Sequence, residues 1–181
     1  MKLGLTGDIG CGKTTVAALF EEAGWQTIDS DYIVRKLLAE DHEVQSRIRE
    51  HWGDEVFNKD TSVDRKAVAS RVFSDATELK WLENILHPIV IERWKSALDS
   101  EPELPWLVEI PLLFEKRLET YFDLIVCVHS APNIVEARMV TRGYSRLEIL
   151  QRREQQIPID EKVERADHVI SNSGSFDFLK L

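Results

Sequence analysis

Gly7-Asp8-Ile9-Gly10-Cys11-Gly12-Lys13-Thr14 fills every fixed position of the pattern G-x-x-x-x-G-K-[ST]. Each fixed position has a physical task. Glycines let the backbone curl until successive N–H groups point inward at phosphate oxygens. A helix opening at Lys13 adds its positive N-terminal end. The Lys13 ammonium reaches the β- and γ-phosphates, and the Thr14 hydroxyl can ligate Mg²⁺. With Gly at about 7% of residues, chance alone produces this match in roughly one chain of this length in a few hundred. The flanks supply the context the pattern needs. Met1 to Thr6 is short and mostly apolar and reads as a buried strand; Thr14 to Ala23, with Val16, Leu19 and Phe20 on one face and Gly24 as its stop, reads as a helix. Strand, loop and helix together predict a site for a nucleoside triphosphate.

Beyond that helix, Trp25 to Ile28 reads as a second strand closed by Asp29-Ser30-Asp31, and Tyr32 to Ala39 as a helix. Val44, Ile48 and Trp52 stand four apart, one face of a helix within the charged stretch Asp41 to Trp52. Gly53 to Ser74 is polar, with a turn around Asn58 to Ser62. Ala76 to Leu98 predicts two helices joined at His87-Pro88, because proline fits the first turn of a helix better than its interior. Trp106 to Ile110 and Leu124 to Val128 are apolar runs suited to strands covered on both faces. Asn133 to Arg142 and Arg146 to Gln156 read as helices, and His168 to Ile170 as a last short strand. Strands alternating with helices predict an α/β fold with a parallel sheet.

The chain has 181 residues, enough for one domain with a sizeable core, and we read residues 1–181 as a single unit of that kind. Its net charge of −9 disfavours nucleic acid and anionic membranes as partners. Cys11 and Cys127 form no metal-ligand or redox pattern, so reduced thiols are expected. The N-terminus lacks the length for a signal-peptide apolar region, and no apolar run approaches a membrane span. These features predict a cytoplasmic protein, monomeric or weakly self-associating.

A nucleotide switch would carry an Asn-Lys-x-Asp reader of guanine and an Asp-x-x-Gly segment. The nearest match is Asn58-Lys59-Asp60-Thr61, with Asp one position early, and no Asp stands three before a glycine. Small-molecule kinases remain: enzymes that set a carboxylate and a lid of arginines around the phosphate loop.

Leu5-Thr6-Gly7, the loop itself, Ile28-Asp29-Ser30-Asp31, Leu86-His87-Pro88, Pro111-Leu112-Leu113-Phe114-Glu115, and Ala166 to Asn172 resemble dephospho-coenzyme A kinases in order and spacing. The resemblance runs from residue 3 to about residue 176. It implies a P-loop NTPase core with a five-stranded parallel sheet flanked by helices, a helical insert at about residues 32–98 and a helical lid at about 138–158. It also implies transfer of the γ-phosphoryl of ATP, with Mg²⁺, to the ribose 3′-hydroxyl of dephospho-CoA. A nucleoside monophosphate kinase, or another small-molecule kinase of this fold, is the alternative. Three departures stand out: Asp8 replaces a glycine, Cys11 replaces a serine, and the resemblance predicts a further helix beyond Leu181. The carboxylate of Asp8 is expected to face solvent or metal-bound water.

Asp31 maps onto the family's catalytic aspartate, a carboxylate within reach of a sugar hydroxyl. It also stands where it would cap a helix beginning at Tyr32. Lys13 and Arg142 complete the expected catalytic set. ATP is expected against Asp8, Ile9, Gly10, Cys11, Gly12, Lys13, Thr14 and Thr15, with Arg138 and Arg142 from the lid and Asn172 and Gly174 from the loop near the adenine. Acceptor contacts are expected from Asp31, Arg35, His87, Pro111, Leu112, Leu113, Phe114 and Arg152. Thr14 is the expected metal ligand, with Glu109 in a weak Walker-B-like position at the end of its strand. Arg138, Arg142, Arg146, Arg152 and Arg153 fall within sixteen residues, a density that beside a phosphate loop suggests a clamp on transferring oxygens.

Overall fold

A computed structural model describes residues 1–180. In chain order the elements are β1 (Lys2–Gly7), α1 (Lys13–Glu22), β2 (Gln26–Asp29), α2 (Ser30–Glu40), α3 (His42–Trp52), α4 (Arg65–Ser74), α5 (Ala76–Ser100), β3 (Trp106–Glu109), β4 (Leu124–His129), α6 (Pro132–Thr141), α7 (Arg146–Glu154), α8 (Ile159–Arg165), β5 (His168–Ser171) and α9 (Phe176–Leu179). Two units divide the chain, Met1–Asp29 with Leu98–Leu181, and Ser30–Ala97.

The first unit holds one parallel sheet of five strands in the order β2-β3-β1-β4-β5. Parallel strands cannot be joined by tight turns, so long crossovers join them. Helices carry every one but β3 to β4, which runs through turns and a short 3-10 segment (Glu119–Tyr121), and helices cover the faces. This explains the unbroken apolar run of β4, whose residues Ile125 to Val128 are all buried. Leu3, Leu5, Val16, Ala17, Leu107, Val126 and Val128 form the core between the sheet and α1. β1 lies centrally, with β3 on one side and β4 on the other. Connections from a central strand run to both sides at such a point, and the crevice they leave at the carboxyl ends is where open α/β sheets bind ligands. The phosphate loop leaves β1 there.

The second unit is helical. Asp41 caps α3 by accepting from Val44 N at 3.1 Å, and Val44, Ile48 and Trp52 are its buried face, as their spacing requires. The turn at Asn58 to Ser62 is closed by Asn58 N donating to Ser62 O at 2.8 Å, with Thr61 at φ 66°. The structure of this region differs from the sequence expectation at two places. Residues 65–74, read only as polar, form α4. The Asp64 side chain caps it by accepting from Lys66 N and Ala67 N, and Val68 and Val72 are buried one turn apart. Ala76 to Ser100 is one helix with Pro88 inside it, not two helices joined there. Proline in a helix interior costs about 3 kcal/mol. Against that, Leu82, Leu86, Val90, Trp94 and Leu98 form one buried stripe across the proline. Each such side chain contributes about 1.5–3 kcal/mol when buried, so an unbroken stripe outweighs one lost hydrogen bond.

Candidate active site

Two glycines of the phosphate loop are required by their neighbours. Gly7 (φ 145°) pairs with Val128 of β4, and a Cβ there would run into the Val128 carbonyl. Gly12 (φ 93°) leaves room that the Asn172 amide fills. Asn172 Nδ2 donates to Cys11 O at 2.9 Å, which ties the loop after β5 to the phosphate loop. Gly12 gives α1 no side-chain cap, so the positive end of α1 faces the loop with backbone N–H groups alone.

Lys13 is buried, and its Nζ donates to Asp8 O at 3.1 Å and Gly7 O at 3.3 Å. The ammonium is thus held at the mouth of the loop by two carbonyls. Thr14 Oγ1 donates to Glu109 Oε1 at 3.4 Å, and Glu109 is itself buried at the end of β3. Glu109 is the register partner of both Leu5 on β1 and Asp29 on β2. The ends of β3 and β2 and the first turn of α1 therefore bring a buried carboxylate, a second carboxylate and a hydroxyl to the carboxyl edge of the sheet. These are hard oxygen donors of the kind Mg²⁺ takes. Among the described residues no group of three or more His, Cys, Asp or Glu is placed to hold a metal ion. A sparse donor set suits an ion that keeps several waters and binds through phosphate.

The arginines part company in the structure. Arg138, on the last turn of α6, donates to Cys11 O at 3.3 Å, Ser130 Oγ at 3.1 Å and Asn172 O at 3.0 Å. It braces the loop, a role the lid reading did not foresee. Arg142 is exposed at the C-terminus of α6. The Arg152 guanidinium lies over the Tyr144 ring, 5.2 Å from its centroid. Arg153, grouped with the others but given no role by sequence, forms an ion pair with Asp8 at 3.1 Å. Asp8 therefore does not face solvent, one of the two surroundings expected for it; its other oxygen accepts from Ile9 N at 2.7 Å.

Residues 111–114 also divide. Leu113 and Phe114 are buried at 0% and 2% exposure. They pack in the interior, with the Arg165 guanidinium 4.4 Å from the Phe114 ring centroid. Pro111 and Leu112 keep accessible surface. Below them lies a hub that sequence gave no sign of. Lys162, wholly buried, holds Glu115 Oε1 at 2.9 Å and donates to Pro111 O at 2.7 Å and Gln156 Oε1 at 3.1 Å. Ile157 N donates to the same carboxylate oxygen at 3.0 Å. Burial draws the Lys162 pKa down, against the opposing pull of Glu115. Removing one partner of such a pair leaves a buried charge, so Lys162→Met is expected to lose about 3–5 kcal/mol of stability. Urea denaturation measures it, and adding Glu115→Gln is expected to recover part of the loss.

In the second unit Asp31 lies within the first turn of α2, which begins at Ser30, so it is not the cap of a helix starting at Tyr32. Arg35 sits 5.5 Å from the Tyr32 ring centroid on the same helix. His87 is half-buried within α5, 4.0 Å from Glu83. Gly174 lies in the exposed turn before α9, against Phe178. Cys11 and Cys127 are free and buried. Burial pushes the Cys127 thiol up to about 11, and raises that of Cys11 against the pull of Lys13. Both are protonated at neutral pH, which leaves them to packing rather than to chemistry.

Sheet order, loop and flanking helices define the class: this is the fold of the P-loop kinases. It is shared with a shikimate kinase from Acinetobacter baumannii, at a TM-score of 0.50 and 16% identity over 99% of this chain and 88% of that one. The model of the dephospho-CoA kinase family matches residues 1–177, and the chain belongs to that family. A dephospho-CoA kinase of Synechococcus sp. strain CC9902 is 41% identical over 98% of this chain and 91% of its own length. The crystal structure of TT1252 from Thermus thermophilus superposes with a TM-score of 0.83 at 36% identity, covering 99% of this chain and 92% of that one. The dephospho-CoA kinase of Campylobacter jejuni gives 0.69 at 28% identity, with the same two coverages. No helix among the described residues is long and apolar enough to cross a membrane.

Proposed function

We propose that this chain transfers the γ-phosphoryl group of ATP to the ribose 3′-hydroxyl of dephospho-CoA, giving CoA and ADP. The reading rests above all on one observation: in a member of this family, Lys13 and the Thr14–Glu109 pair converge where the phosphate loop leaves the central strand. The loop amides and Lys13 bind the β- and γ-phosphates, and Arg142 and Arg152 approach from the lid. Thr14 and Glu109 are the residues that would hold Mg²⁺, which would supply charge neutralisation to the phosphates. Arg138 and Asn172 keep the loop in shape beneath the nucleotide, and Gly174 follows in the loop near the adenine.

Asp31 accepts the hydrogen bond of the acceptor hydroxyl and takes its proton. The hydroxyl oxygen forms the new bond to the γ-phosphorus as the bond to the β,γ-bridging oxygen breaks, and ADP leaves. The transition state is largely loose, so orientation and charge stabilisation carry most of the rate. Arg35, His87, Pro111 and Leu112 contribute to acceptor binding. The protein acts in the cytoplasm on small molecules and needs no stable partner chain.

Turnover with ATP and a panel of acceptors tests the proposal. Dephospho-CoA is expected to exceed AMP, dCMP and adenosine by orders of magnitude in kcat/KM. Comparable kcat/KM for a simple nucleoside monophosphate would overturn it in favour of a nucleoside monophosphate kinase.

A further inference from the structure

Two cations hang on one residue of the phosphate loop. Lys13 Nζ donates to the Asp8 carbonyl at 3.1 Å. On the same residue's carboxylate, Arg153 Nε donates to Oδ2 at 3.1 Å, and Arg153 Nη2 lies 3.1 Å from that oxygen. The carboxylate is held on its other side by Ile9 N, and only 16% of the Asp8 side chain is exposed. Arg153 belongs to α7, a helix closed by a capping box between Ser145 and Glu148. Apolar packing also holds the helix near the loop: Ile149 is buried with Val135 and Met139, and Ile9 packs against that cluster. Beside the ion pair lies a cavity of about 440 Å³, with Asp8, His129, Leu150, Arg153, Ile157 and Asp160 among its walls. A guanidinium on that wall has room to change partners without unpacking the core.

A carboxylate at the mouth of a phosphate loop opposes the ligand the loop is built for, and a guanidinium standing between the two screens that repulsion whichever of them it bonds. The cation here comes from the helix of the arginine-rich segment. A triphosphate offers that guanidinium a more highly charged, bidentate partner than a single carboxylate. We propose that Asp8 is a positioning residue that holds Arg153 beside Lys13, and that Arg153 exchanges Asp8 for phosphate oxygens when nucleotide binds. Asp8 thereby docks α7 on the loop in advance, so the lid cation is already at the phosphate site. The proposal rests on the reading that the loop holds ATP.

Amide hydrogen exchange over residues 146–154 tests it, in wild type, Asp8→Asn, Arg153→Gln and the double variant. Asparagine keeps the acceptor for Ile9 N but removes the charge. Without nucleotide, both single variants are expected to exchange about fivefold faster than wild type, as loss of one ion pair allows, and the double variant no faster than either. With a non-hydrolysable ATP analogue and Mg²⁺, Asp8→Asn is expected to regain wild-type protection, because Arg153 has its phosphate partner. Arg153→Gln is expected to stay fast. Unchanged exchange in Asp8→Asn without nucleotide overturns the proposal, and so does an analogue that restores both variants, neither, or Arg153→Gln alone. Melting temperatures near wild type show that the variants are folded. Calorimetry of the analogue on wild type separates the two readings. No binding overturns the nucleotide site and the exchange with it, whereas binding with any other protection pattern overturns the exchange alone.

Discussion

Asp31→Asn is expected to lower kcat by ~10²–10⁴-fold, the usual contribution of a general base. Asparagine is nearly isosteric and can still turn an oxygen toward a hydroxyl, but it is too weakly basic to take the proton. ATP affinity is expected to hold, since Lys13, Thr14 and the loop amides are untouched. Stability should change little. Asp31 lies within the first turn of α2, where a carboxylate contributes only about 0.3–1 kcal/mol through the helix dipole. A purely structural role predicts the reverse pattern, with kcat near wild type and the change confined to melting temperature. Measuring kcat, ATP affinity and melting temperature on one preparation decides between them. More than about a tenth of wild-type kcat in Asp31→Asn would remove Asp31 as the base and direct attention to Asp29, which ends β2 beside Glu109.

Lys13→Ala is expected to damage binding and turnover together. A hydrogen bond to a charged group contributes about 1.5–3 kcal/mol, so nucleotide affinity should fall about 10–100-fold. Loss of a donor that acts on developing charge costs a further ~10²–10³ in kcat. Calorimetric titration with an ATP analogue reads the first effect, and saturating steady-state kinetics reads the second. The buried ammonium also holds the carbonyls of Gly7 and Asp8, so some stability should be lost as well. If binding and kcat both stay near wild type, the loop is not the phosphate site.

The difference between these variants follows from what each residue touches. Lys13 is fixed by backbone carbonyls within its own loop, so its position is a local property of eight consecutive residues. Asp31 is separated by a single residue from the end of β2, and its role depends on where a bound acceptor places a hydroxyl. For that reason the phosphate loop was legible from its spacing alone, while Asp31 needed a family resemblance to single it out. Glu109 lies between these cases. Its place at the end of an apolar run was visible in the sequence, but its pairing with Thr14 across 95 positions depends on β3 lying beside β1.

By itself the sequence determined the features that arise from neighbours along the chain. The loop, the strand before it and the helix after it follow from glycine positions and apolar spacing. The buried face of α3 follows from Val44, Ile48 and Trp52, and strand β4 from an unbroken apolar run. Tertiary structure alone decided what depends on residues far apart. Arg138 and Arg153 sit in one arginine-rich stretch, yet one braces Cys11 and Asn172 while the other pairs with Asp8, 145 positions away. Leu113 and Phe114 turned inward, and Lys162 became a fully buried ion because Glu115, Pro111 and Gln156 close around it. Helix α5 stayed continuous through Pro88 because its buried stripe outweighs one backbone bond. In each case the local preference is worth at most a few kcal/mol, and burial or charge pairing with a distant segment is as large or larger.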